Sequence, residues 1–216
     1  KIEIMKPIKY LILCALILLI CTCSGTKNLG TEDGFSFSKE ERAIIMQADS
    51  SVPMRVFKID SKQDSLLLRT KSSPVHANPK DPVLQNFVNR LFRTVRDSVS
   101  LGVGIAAPQV GILKNIIWVQ RFDKEEFPFE VYLNPKIILY SEQKQTFTEG
   151  CLSIPNRTET LNSRAYSIEI TYDSMENKKH TETVEGFTAV IFQHEIDHLN
   201  GILYLDHLEK EIKDSN

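Results

Sequence analysis

Cysteine is scarce where a fold would use it. Of four cysteines, Cys14, Cys21 and Cys23 lie near the N-terminus and only Cys151 belongs to the rest of the chain, so no disulfide framework can staple the main body. Net charge is scarce as well: 26 basic and 28 acidic residues leave a balance of -2, which offers no basic footprint for nucleic acid. No apolar run reaches the roughly 20 residues that a membrane-spanning helix needs; the unbroken stretch from Tyr10 to Cys21 falls short. There is no internal repeat. Gly102-Val103-Gly104 lacks the third glycine of a dinucleotide-binding loop, and Pro108 interrupts the helix that should follow. What remains is a chain of 216 residues, enough for one domain with a buried core and an N-terminal appendage.

The appendage has its own pattern. Lys6 and Lys9 precede the apolar run, and charge resumes only at Lys27, which is a signal-peptide profile. Ile20-Cys21-Thr22-Cys23 followed by Ser24-Gly25 resembles a bacterial lipoprotein cleavage box, which makes Cys23 the lipidation candidate. The expectation is a signal over residues 1–23, a tether and N-terminal extension over 24–50, and the folded domain over 51–216. An exported lipoprotein held on the periplasmic side of a membrane or at the cell surface follows. The alternative is a soluble periplasmic protein released by ordinary cleavage.

Within the body, Ser38 ahead of Glu40, Glu41 and Arg42 caps a short helix through Gln47, before Pro53 interrupts the pattern. Asp81-Pro82 opens a second helix, with Leu84, Phe87, Val88, Leu91 and Val95 on its apolar face and Arg90, Arg93 and Arg96 expected on the solvated side. Beyond Gly102, β-type runs occupy Ile116 to Val119, Val131 to Leu133 and Ile137 to Tyr140, with Ile168, Ile170 and Tyr172 alternating. A polar turn at 173–179 leads to another strand near Val184. A final helix from Phe187 stops at Asn200-Gly201. Helices and strands that do not alternate strictly predict an α+β fold with antiparallel sheets.

Chemistry concentrates in that last helix. Gln193-His194-Glu195-Ile196-Asp197-His198 places two imidazoles four residues apart, on one face, where they can share a metal ion. Glu195, turned by about 100°, suits a general base rather than a third ligand on that stripe. The apolar run before His194 buries this helix nearly all round, and buried histidines and a glutamate need partners. A hydrolytic metal site takes three protein ligands and leaves one position open. Cys151, in Glu149-Gly150-Cys151-Leu152-Ser153, is the one cysteine available; a lone cysteine is most often a small buried hydrophobe, but beside the histidine pair it completes a Cys-His-His set. Gly102-Val103-Gly104-Ile105-Ala106-Ala107-Pro108-Gln109 lets backbone approach a ligand closely and ends in a side-chain amide; on its own it also fits a plain tight turn.

Taken in order as GVGIAAPQ, EGCLS and QHEIDH, these motifs resemble the peptide deformylases, and the resemblance spans about Val52 to Leu208. Leu68 to Val75 is similar to that family's N-terminal segment. The resemblance implies an α+β fold with antiparallel sheets around a buried helix bearing the two histidines. It implies Cys151, His194 and His198 as metal ligands, Glu195 as acid/base, and Gln109 with the Leu152 backbone N–H as oxyanion donors. It implies substrate contacts at Val103, Gly104 and Gly150, and a methionine pocket lined by Val190 and Ile191. The activity implied is hydrolysis of the formyl group from N-formylmethionyl peptides, releasing formate. One divalent cation is expected; the ligand set suits Zn(II), while the resemblance implies Fe(II), with nickel or cobalt as substitutes. After Pro155 the chain reads Asn156-Arg157-Thr158-Glu159, and Leu161 and Arg164 do not keep the family's valine-x-arginine spacing, which leaves open the preference beyond methionine. No nucleic acid partner is expected, and the oligomeric state is not legible.

Overall fold

The computed structural model describes residues 36–97 and 102–215. The expected signal, the lipidation candidate Cys23 and residues 24–35 of the expected tether and extension lie outside these residues. Among them, no helix is long and apolar enough to cross a membrane.

The elements run α1 (Lys39–Met46), α2 (Lys62–Leu68), α3 (Pro82–Val95), β1 (Gly104–Ala106), β2 (Ile116–Gln120), β3 (Phe129–Tyr140), β4 (Lys144–Cys151), β5 (Ile154–Ala165), β6 (Ser167–Asp173), β7 (Lys179–Glu185), α4 (Gly186–Leu199) and α5 (Tyr204–Asp214). A 3-10 turn (Ala107–Val110) follows β1. Five strands form one antiparallel sheet in the order β1-β2-β3-β6-β7, while β4 and β5 pair as a separate antiparallel hairpin. The fold is α+β.

Alternation along β2 explains how the large sheet is covered. Ile116 and Trp118 pack into a core with Leu84, Phe87 and Leu91 of α3, whereas Ile117 and Val119 pack into a second core with Ala189, Phe192 and Ile196 of α4. Successive side chains point to opposite faces, so a strand buried on both sides reads as a continuous apolar run. Helix α4 is buried on most of its surface, as its sequence required. It ends where expected: Asn200 caps it and Gly201 adopts a left-handed φ of 72°, in a spot where a side chain would meet the Arg69 carbonyl.

The N-terminal extension is not loose throughout. Ser38 and Glu41 form a reciprocal capping box on α1, and Phe37 and Ile45 are buried, with Phe37 edge-on to Phe87 of α3. Arg90 corrects the expectation of a solvated arginine face. Its side chain is buried and donates to the carbonyls of Ile44 and Ile45 at the end of α1 and of Val52 beyond it. Periodicity put Arg90 beside Arg93 and Arg96, but the extension covers that side of α3, and helix-end carbonyls there need donors. Helices α2 and α5 and the β4–β5 hairpin had no counterpart among the expected elements.

Candidate metal centre

Helix α4 brings His194 and His198 together, ring centroids 5.0 Å apart. The β4–β5 hairpin delivers Cys151 from the other side: its Sγ lies 3.2 Å from His198 Nε2. One donor atom from each of the three residues lies within 4.8 Å of the others, so the separation in sequence is closed by folding. Gln193 ties helix to hairpin, donating to the Ala165 carbonyl and accepting from the Ala165 N–H.

The donor set fits a divalent cation. A thiolate and two imidazoles are the ligand types of hydrolytic zinc and iron sites. His194 Nδ1 hydrogen-bonds Glu149 Oε2 at 2.8 Å; a carboxylate only accepts, so Nδ1 carries the proton and Nε2 is left for ligation. Burial opposes charging His194, but hydrogen bonds with Cys151 and Glu149 prevail and hold its pKa well above the ordinary value. Burial drives His198 the other way, well below the ordinary value, with the charge of His194 adding to it. A cation there would displace the proton that His194 otherwise keeps.

Glu149 is the anchor that the motif reading passed over. Burial would raise its carboxyl, yet hydrogen bonds from His194 and Arg164 outweigh that cost and bring it down to about 2. Arg164 grips it with Nε and Nη2 at 2.6 and 2.9 Å. The sequence carried the signal, since Glu149 stands inside the EGCLS segment. Arg164, singled out only for its spacing, is buried here instead of facing the cleft.

Glu195 sits beside the triad and is 4% exposed, with Oε2 bonded to no group among the described residues. Burial, reinforced by Glu149 and Asp197, pushes its carboxyl up to about 7, which suits a group that must take and return a proton near neutrality. Gly104 approaches it so closely that a Cβ would stand 2.5 Å from Glu195 Oε1 and 2.8 Å from Ile191 Cγ2; the glycine is required by contact.

Gln109 is oriented by its own loop. Its Oε1 accepts from the Ala106 N–H at 2.8 Å, which turns Nε2 towards Ser153 Oγ (3.3 Å) and Cys151 Sγ (3.5 Å). The segment between α1 and α2 holds both sides of this corner, with the Phe57 N–H on the Gln109 carbonyl and the Ile59 N–H on that of Ser153.

These groups open onto a cleft of 710 Å³ whose walls include Val103, Gly104, Gly150, Leu152, Val190 and Ile191. All of the expected contact residues therefore meet at one opening. Two aromatic residues absent from the expectations, Phe147 and Phe187, stack at 4.6 Å on its wall, and Arg157 stands at its rim.

Residues 54–214 match the family model described as polypeptide deformylase. A peptide deformylase of Desulforudis audaxviator is 40% identical over 159 residues, covering 71% of this chain and 94% of its own length; one of Rhizobium meliloti is 35% identical over 150 residues, covering 68% and 83%. Among solved structures, the Met-Ala-Ser-bound class I type b peptide deformylase of Acinetobacter baumannii superposes with a TM-score of 0.65 at 34% identity, over 73% of this chain and 99% of that one. The peptide deformylase of Thermotoga maritima gives 0.63 at 29%, over 72% and 97%. The cleft and its Cys-His-His corner stand within the matched span, and the chain belongs to the polypeptide deformylase family and is an enzyme of that kind.

Proposed function

We propose that this chain hydrolyses the formyl group from N-formylmethionyl peptides or proteins and releases formate, with one divalent cation, Fe(II) or Zn(II), held by Cys151, His194 and His198. The observation that carries this reading is the meeting of those three donors beside a buried Glu195, whose Oε2 has no hydrogen-bond partner among the described residues, on the wall of a peptide-sized cleft. The Met-Ala-Ser bound to the Acinetobacter relative supports a peptide as occupant.

A divalent cation held there would supply Lewis acidity, acidifying a water and polarising the formyl carbonyl. Glu195 takes the proton of the attacking water, then returns it to the departing amine. Gln109 Nε2 and the Leu152 backbone N–H donate to the oxygen as it gains charge. Glu149 and Arg164 hold His194 in the tautomer that ligation needs. Val190, Ile191, Phe147 and Phe187 receive the methionine side chain, whose thioether suits aromatic walls. Gly150 and Val103 border the substrate backbone.

The location is part of the proposal. The basic, apolar and Cys23-bearing N-terminus supports export and anchoring as a lipoprotein on the periplasmic side or at the cell surface. Substrates there are formylated peptides that have already crossed the membrane.

The test of the chemistry is formate release from formyl-Met-Ala-Ser against acetate release from acetyl-Met-Ala-Ser. The formyl peptide is expected to be strongly preferred; equal or better use of the acetyl peptide contradicts deformylation. For location, fractionation is expected to find a lipid-modified chain in the membrane, and an unprocessed chain in the cytoplasm contradicts it.

A further inference from the structure

A continuous chain of hydrogen bonds leads from the metal centre to a second, separate cavity. His194 Nδ1 meets Glu149 Oε2 at 2.8 Å, and Glu149 is held at both oxygens by Arg164. Arg164 Nη1 reaches Asp197 Oδ2 at 2.7 Å, and the same oxygen meets His207 Nε2 at 2.8 Å. Since a carboxylate only accepts, His207 carries a proton on Nε2. Side-chain exposure rises outward along this chain, from 3% at Glu149 and Arg164 to 16% at Asp197 and 30% at His207. His207 stands on α5 and lines a cavity of 340 Å³ with Tyr140, Lys144 and Lys210, none of which borders the cleft.

We propose that His207 is a positioning residue of the metal centre: it fixes the Asp197 carboxylate, and through Arg164 and Glu149 it holds His194 in place from the second cavity. Asp197 reaches water, so without the His207 donor its carboxylate keeps the Arg164 contact but is free to turn towards solvent. Arg164 is buried, and although Glu149 still matches its charge, an Nη1 left without a well-placed acceptor is costly. Arg164 follows Asp197 or gives up part of its grip, and in either case the geometry of Glu149 against His194 changes. Partners beyond the ligands themselves tune metal affinity by about 10–100-fold in such sites, and His207 lies at the outer end of such a set.

This inference rests on the metal-centre reading above, and its test separates the two. Co(II) binding to the full chain is measured by chelator competition, with the visible spectrum of the bound ion and the urea midpoint of the metal-free chain recorded alongside. Wild type is expected to bind one Co(II) with a thiolate charge-transfer band. His207→Leu is expected to bind it about tenfold more weakly with shifted d–d bands. His207→Gln places an N–H donor near the ring's Nε2 and is expected to restore affinity to within about threefold of wild type. A purely structural tie between α5 and α4 would lower the urea midpoint and leave affinity and spectrum unchanged, and that result overturns the proposal. So does a His207→Gln variant as weak as His207→Leu, since the hydrogen bond would then not be the agent. Failure of wild type to bind Co(II) would sink the metal centre itself.

Discussion

At Gly104 a single methyl group has nowhere to go. Its Cβ would stand 2.5 Å from Glu195 Oε1, and Glu195 is walled in, so Gly104→Ala must displace the base. A displacement of about 1 Å costs on the order of 100-fold in rate, and steady-state formate release should show that loss in kcat while the urea midpoint changes little. Gln109 makes a separate case. Gln109→Glu keeps the oxygen that accepts from Ala106 but removes the amide donor, so kcat should fall by about 100- to 1000-fold, read in the same assay with metal content checked. Both residues stood out in the sequence as a small residue and a terminal amide in one loop, but their roles came from the family resemblance, since the loop alone also fits a plain tight turn. Glu149 was less so: its role depends on Arg164, 15 residues away across the β4–β5 hairpin, and a pairing register with two irregularities cannot be counted off the chain.

Among the elements, those with a one-sided or continuous apolar signal were the readable ones. Helix α4 announced itself because it is buried nearly all round, and β2, β3 and β6 because of their β-branched and apolar residues, whereas the polar β7 was read only from the turn before it and from Val184. The β4–β5 hairpin, which supplies Cys151, is mostly exposed and polar, with Glu149, Leu161 and Arg164 among its few buried side chains; alternation without apolar residues leaves little to read. Helix α5 begins at Tyr204, just beyond the stop at Gly201, and was not read as an element. Helix α1 was read, but its partner was not, and Arg90 is the consequence. Because that guanidinium donates to four carbonyls across α1 and the chain beyond it, those of Ile44, Ile45, Val52 and Pro53, Arg90→Leu should lower stability by about 2–4 kcal/mol. A urea titration should show a lower midpoint with an unchanged slope.

For the whole molecule, acid is the natural probe, because buried charges knit α4 to the hairpin. Glu149 has its carboxyl lowered from 4.5 to about 2 in the folded chain. A depressed carboxyl contributes stability above its unfolded pKa and loses it as pH falls through the folded one. At ~1.4 kcal/mol per unit, that is roughly 3 kcal/mol at pH 7, lost between about pH 4.5 and 2. Glu149→Gln should therefore be less stable than the parent at neutral pH, with the gap closing across that window in calorimetric or urea titrations at stepped pH. Cation binding adds a second pH dependence of the same sign, since His194 must give up its proton to bind.

The account as a whole depends on Cys151, His194 and His198 acting on one ion. The direct measurement is the metal content of the anaerobically purified chain and of single variants at these positions. One equivalent of divalent metal is predicted in the parent and in Glu195→Ala, which should retain the ion while losing turnover. Cys151→Ala and His198→Ala are predicted to lose it. A parent free of metal yet active on formyl-Met-Ala-Ser, or Cys151→Ala and His198→Ala variants that keep a full equivalent, would contradict the account.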